Sequence, residues 1–127
     1  MRIEHFALNV KEPNAAARWY VEHLGFKVKR RLVEPPYTHF LTDDDGVTML
    51  EIYHQTIPVI DFQQTHSMSL HIALTSNDVA ADARRLVGAG ASEDGELTTL
   101  PTGDCFAMVR DPWGITWQLI SRKQPMV

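Results

Sequence analysis

His5-Phe6-Ala7-Leu8 and His71-Ile72-Ala73-Leu74 are near-copies of one tetrapeptide, set half a chain apart. Each opens an apolar, strand-like run, and each is followed by a segment with helical periodicity. A second polar residue then stands inside an apolar strand of each half. It is Glu51 in Met49-Leu50-Glu51-Ile52-Tyr53, 46 positions after His5, and Gln118 in Thr116-Trp117-Gln118-Leu119-Ile120, 47 positions after His71. A histidine and a ligand-type residue repeated at nearly constant spacing point to duplication of one half-site. A chain built this way folds as two similar modules, and each module alone offers only two ligands.

Local patterning gives the same order twice. Ile3, His5, Ala7 and Asn9 share one face of the first strand, and Phe6, Leu8 and Val10 share the other. Lys11-Glu12-Pro13-Asn14 breaks that strand and starts a helix with proline in its first turn. Ala16, Trp19, Tyr20 and Leu24 form the helix's apolar face, and Gly25 ends it. Strands are expected over 26–33, 37–41 and 47–53, divided by Pro35-Pro36 and by the Asp43-Asp44-Asp45-Gly46 turn. In the second half a strand over 69–75 precedes a helix capped by Ser76-Asn77-Asp78, with Val79, Ala83, Leu86 and Val87 on one face and Gly88 and Gly90 at its end. Strands within 91–100, 105–110 and 115–121 follow, with turns at Pro101-Thr102-Gly103 and Asp111-Pro112-Trp113-Gly114. The expectation is an α+β chain of two tandem βαβββ modules, 1–54 and 68–122, forming a curled eight-stranded mixed sheet in a single domain over 1–127. The linker 55–67 is a candidate lid.

Alternation also says what can converge. A face that carries His5 carries Ala7 and Asn9, and one that carries Glu51 carries Met49 and Tyr53. Small or apolar neighbours around a polar side chain make a poor setting for it unless something binds it. His5, His71 and Glu51 are a sound donor set for one divalent transition metal, and Gln118 adds a weak fourth ligand through its amide oxygen. Nitrogen and oxygen ligation without thiolate suits zinc, nickel, cobalt, manganese or ferrous iron and does not choose among them. The competing reading of each residue alone is a satisfied core histidine and an ion-paired strand glutamate; the duplicated spacing favours the metal. His23 suits the end of a helix. His39, His54 and His66 are expected on or near loops at the surface, with His54 able to approach a site from its rim.

Composition excludes several classes. With 44% hydrophobic and 22% charged residues the chain is an ordinary globular one, long enough for a real core. A net charge of -4 leaves no electrostatic footprint for nucleic acid. The basic run Lys27-Val28-Lys29-Arg30-Arg31 reads as a solvated strand face. No stretch approaches the ~18 apolar residues of a membrane span, and the N-terminus has no targeting pattern. Cys105 is the only cysteine, which sets a cytoplasmic location as the expectation and a core role for the thiol.

The motifs in order resemble the vicinal oxygen chelate superfamily of glyoxalases, bleomycin resistance proteins and dioxygenases. They are the strand with His5, then Trp19-Tyr20-Val21-Glu22-His23-Leu24-Gly25-Phe26, Leu50-Glu51-Ile52, His71-Ile72-Ala73, and Asp111-Pro112-Trp113-Gly114 with Gln118-Leu119-Ile120. The resemblance spans 2–122 and implies paired βαβββ modules curled round a metal. By ligand layout the chain is most similar to bacterial glyoxalase I, which implies histidine, glutamate, histidine and glutamate at positions matching His5, Glu51, His71 and Gln118. This chain keeps three and departs at Gln118, where the resembled enzymes carry their base.

The resemblance implies a metal-dependent, glyoxalase-like isomerase or lyase acting on a small substrate with vicinal oxygens. Glu51 would be the catalytic group, because a glutamine accepts no proton at neutral pH. Asn9 stands where glutathione-using relatives have an arginine, so the resemblance does not carry glutathione to this chain. Asn9, Phe40, Tyr53, Phe106, Trp113 and Trp117 are the candidate substrate-binding residues, the aromatics competing with plain core roles. Two alternatives stay open: a metal-independent drug- or metabolite-binding resistance protein, and a ring-cleaving dioxygenase. A homodimer is implied, with the modules paired within a chain or exchanged between chains.

Overall fold

A computed structural model describes residues 1–126. The chain divides into two compact units, Met1–Ile60 and Asp61–Val127, and no helix among the described residues is long and apolar enough to cross a membrane.

The first unit runs β1 (His5–Asn9), α1 (Pro13–Leu24), β2 (Lys27–Arg31), β3 (His39–Thr42) and β4 (Met49–Tyr53), with sheet order β1-β4-β3-β2. β1 pairs parallel to β4 and the remaining pairs are antiparallel. Pro13 sits at the helix start, where its missing N–H costs no hydrogen bond. Gly25 closes the helix at φ 75°, its N–H donating to the Tyr20 carbonyl. Pro13, Ala16, Ala17, Trp19 and Tyr20 are buried. Leu41, Leu50 and Ile52 are the buried apolar residues of the strands, and Val10 is buried just after β1. A register shift between Val28 and Arg30 leaves Lys29 as an extra residue in β2.

The second unit runs β5 (Ile72–Thr75), α2 (Val79–Gly88), β6 (Ser92–Glu93), β7 (Thr98–Thr99), β8 (Cys105–Arg110) and β9 (Thr116–Ser121). Its order is β5-β9-β8-β6, with β7 also paired to β8. The Asp78 carboxylate accepts the Ala81 N–H at 3.0 Å, capping α2 as its sequence requires. Ser76 Oγ donates to Asp82 at 2.6 Å and holds that carboxyl below its ordinary value. Val79, Ala83 and Leu86 are buried, while Val87 is exposed.

The α+β class and the βαβββ order hold, with differences that have local causes. The strand expected within 91–100 forms as two-residue pieces, β6 and β7, with Gly95 at φ 89° between them. β5 begins at Ile72 rather than 69, because Ser69 and Leu70 donate to the His66 carbonyl and Met68 to His66 Nδ1, closing a turn. His39, expected at the surface, is buried in β3. The linker is bound at both ends. Asn9 holds Gln55 and Ile57 in the first unit. Arg110 donates to the carbonyls of Phe62 and Thr65 in the second.

Candidate functional site

His5, Ala7 and Asn9 on β1 lie opposite Met49, Glu51 and Tyr53 on β4, and Phe40 on β3 lies opposite Glu51. Register partners project from the same side of a sheet, so these residues share one face. On it, His5 Nε2 is 3.3 Å from Glu51 Oε2, and the Phe40 ring meets the His5 ring edge-on at 5.8 Å. His5 Nδ1 is bonded to the Glu4 carboxylate. With its proton at Nδ1 a neutral imidazole would turn its Nε2 lone pair to the Glu51 carboxylate, whereas an imidazolium would donate to it from Nε2. Two electron-rich atoms at that separation are reconciled only by a positive centre between them, a proton or a metal cation.

The separation itself fits a shared cation. Ligand atoms bound at about 2.0–2.2 Å lie about 2.8–3.1 Å from one another in octahedral and about 3.3–3.6 Å in tetrahedral coordination. A carboxylate on the far ring nitrogen is the usual support for a ligating histidine. A cavity of about 200 Å³ adjoins this face, lined by Glu4, Lys29, Arg30, Phe40 and Met49.

In the second unit His71 stands one residue before β5, and its Nδ1 lies 2.8 Å from the Ser67 carbonyl. With Nδ1 engaged, Nε2 is the ring atom left to act as an electron-pair donor. Gln118 on β9 is half-buried between Ala73 on β5 and Met108 on β8. Among the described residues no three His, Cys, Asp or Glu side chains are grouped so that they could hold one metal ion. Two candidate half-sets result: His5 beside Glu51 in the first unit, brought together by the fold, and in the second unit His71 with Gln118, paired by the sequence repeat alone.

The aromatic candidates separate by environment. Phe40 and Tyr53 are half-buried on the His5 face. Phe106 and Trp113 are half-buried in the second unit. Trp117 is fully buried on the face of β9 opposite Gln118, its indole N–H donating to Asp111 at 3.0 Å. The Asn9 amide is occupied by backbone, accepting from Gln55 N–H at 2.7 Å and donating to Ile57 O at 3.1 Å. His54 Nδ1 bonds the Val10 carbonyl at 2.8 Å.

Sequence reasoning missed Glu4, the partner that orients His5. Strand alternation sends adjacent side chains to opposite faces, but β1 starts at His5, so Glu4 lies outside that rule. The adjacent Glu4-His5 pair is the signal that could have found it.

Known proteins similar to this chain include one sequence relative and two solved structures. An uncharacterized protein, YwbC, of Bacillus subtilis (strain 168) is 31% identical over 126 residues, covering 89% of this chain and 91% of its own. A crystal structure of a glyoxalase I mutant from Zea mays is similar with TM-score 0.75 and 22% identity, covering 97% of this chain and 46% of that one. TnmS3, an antibiotic binding protein from Streptomyces sp. CB03234, is similar with TM-score 0.70 and 24% identity, covering 97% of each chain. These two likenesses carry the fold. Residues 2–119 match the family model of the Glyoxalase/Bleomycin resistance protein/Dioxygenase superfamily, and the chain belongs to that superfamily.

Proposed function

We propose that the protein is a metal-dependent, glyoxalase-like isomerase or lyase acting on a small substrate with vicinal oxygens. The observation that carries this reading is the paired presentation of Nε2. His5 and His71 both engage Nδ1 with an acceptor, and His5 Nε2 stands 3.3 Å from the Glu51 carboxylate. His5, Glu51 and His71 would hold one divalent cation, with Gln118 as a neutral fourth ligand. That cation would supply polarisation of the substrate's two neighbouring oxygens.

The chain's own groups then move the proton. The Glu51 carboxylate takes the hydrogen from the carbon bearing the hydroxyl and returns it to the adjacent carbonyl carbon. Hydroxyl and carbonyl exchange places and no atom is gained or lost. Gln118 cannot take that proton, but its amide orients the bound oxygens. Lys29 and Arg30, at the cavity beside His5, suit an anionic group on the substrate. We also propose a cytoplasmic homodimer: a lone cysteine suits a reducing compartment, and the family resemblance implies pairing of two copies.

The test is metal content together with proton exchange. Purified protein should hold about one divalent ion per His5–Glu51–His71 set, and NMR in deuterated water should show solvent deuterium entering thiol adducts of methylglyoxal. Stoichiometric metal missing after cation incubation, with a His5→Ala variant indistinguishable from wild type, sinks the proposal. Gln118 favours one second reading, a binding protein that sequesters its ligand. That reading expects tight ligand uptake with no exchange.

A further inference from the structure

A second cavity, about 550 Å³, opens in the first unit between α1 and the β2 side of the sheet. It is within the usual size of a small-molecule pocket. Asn14, Ala17, Arg18, Val21 and Glu22 line it from the helix. Their spacing of three and four residues makes them a single helical stripe, which borders the buried Ala16 and Tyr20 and shares the buried Ala17 with the core. Val28, Arg31, Leu32, Val33 and His39 line it from β2, the segment after it and β3. None of these residues belongs to the His5–Glu51 pair.

Three observations identify what the cleft would accept. Its walls keep Val21, Val28, Leu32 and Val33 at 41%, 45%, 49% and 69% exposure, so apolar surface stands uncovered. Among the described residues neither Arg18 nor Arg31 has an ion-pair partner, and the lining's one acid, Glu22, lies 3.8 Å from His23. His39 is 5% exposed and pairs in register with Arg31. Its Nδ1 is 2.8 Å from the Tyr37 carbonyl, so the ring presents a bare Nε2 acceptor. Burial and the neighbouring Arg31 both lower its pKa, which keeps that acceptor neutral at physiological pH.

The geometry points to a second small-molecule site in this cleft, one that takes an anionic amphiphile. Its ligand has an apolar body against the valines and Leu32, a carboxylate for Arg18 and Arg31, and a hydroxyl donating to His39 Nε2. The basic run at 27–31 is then more than a solvated face. The site stands independently of any metal chemistry.

The probe is 4-hydroxyphenylacetate, titrated into the intact protein and followed by amide NMR. Saturable shifts are expected at residues 14–22, 28–33 and 39, with 5–9 and 49–53 unmoved. Arg31→Ala should weaken binding about tenfold, the loss of one charge-assisted contact. The probe's methyl ester should weaken to a similar extent, and phenylacetate, which lacks the hydroxyl, by less. Val21 is exposed, so Val21→Trp should fill the cleft and abolish the shifts while the fold is kept. Shifts at 5–9 and 49–53 instead, equal affinity for the ester, or binding that survives Val21→Trp would overturn the proposal. So would a Val21→Trp variant that splits a dimer into monomers, since a second copy would then occupy the cleft.

Discussion

Glu51 and Gln118 occupy matching strand positions in the two halves, and one carboxyl-to-amide difference separates their chemistry. A carboxylate beside a cation can move a proton; an amide can only coordinate or donate. On the proposed reading Glu51→Gln should lower the proton-exchange rate by about 100-fold or more, the usual contribution of a positioned base. Gln118→Glu restores a second carboxylate and should raise it. Exchange rates that ignore both substitutions would remove Glu51 from the chemistry. His39 carries a second residue-scale expectation, now in stability. Burial holds its folded pKa below the ordinary 6.5, so the unfolded chain takes up this proton first as pH falls. His39's contribution is therefore complete above about pH 6.5 and declines as pH drops toward the lower folded value. Urea titrations at pH 7.5 and 5.5 should show a smaller loss for His39→Gln than for wild type. An identical loss in both would mean that His39 does not titrate differently in the fold.

At the scale of elements the β8–β9 connection shows a buried acid used to organise a turn. Asp111 is 2% exposed, and its carboxylate accepts from Trp113 N–H, Ile115 N–H and the Trp117 indole at 2.9, 3.0 and 3.0 Å. Asp111→Ala strands three donors at about 1–3 kcal/mol each before water relieves any of them. A stability loss of about 3 kcal/mol or more is expected in urea unfolding, and a loss under about 1 kcal/mol would refute the role. Gly114 is fixed by space as well as by its φ of 90°, because a Cβ there would meet the Gln63 backbone nitrogen at 2.8 Å. The sequence marks Asp111-Pro112-Trp113-Gly114 as a turn but says nothing of Gln63, which approaches from a distant segment. The same limit explains the other misses. Periodicity finds α1 and α2 because their apolar stripes are local, and it finds β8 and β9 because their alternation is long. It extends β5 back to 69 because the His66 turn rests on hydrogen bonds rather than hydropathy. It puts His39 near the surface because the pattern over 37–41 does not say which side chains meet the core, and β3 turns His39 inward. Of the candidate site, the histidines, Glu51 and Gln118 were legible from duplication, whereas the Glu4 and Ser67 partners that orient the rings were not.

For the whole molecule, the proposed function turns on whether the two half-sets serve one cation. His5 and Glu51 belong to one unit, His71 and Gln118 to the other. A ligand that binds only the folded protein stabilises it by about 2.7 kcal/mol at a hundredfold excess over its dissociation constant. If one cation draws on both half-sets, His5→Ala and His71→Ala should each remove nearly all of that gain, and the double variant should remove no more. Residues acting on one ligand are non-additive in this way. Two independent half-sites would instead give partial losses that sum. Calorimetry of the four proteins with and without a divalent ion makes the distinction, and repeating it across protein concentrations adds the assembly. A gain that shrinks on dilution means the half-sets come from different copies, since the bound state is then a dimer. Additive losses would leave the architecture standing and take away the shared centre on which the isomerase reading depends.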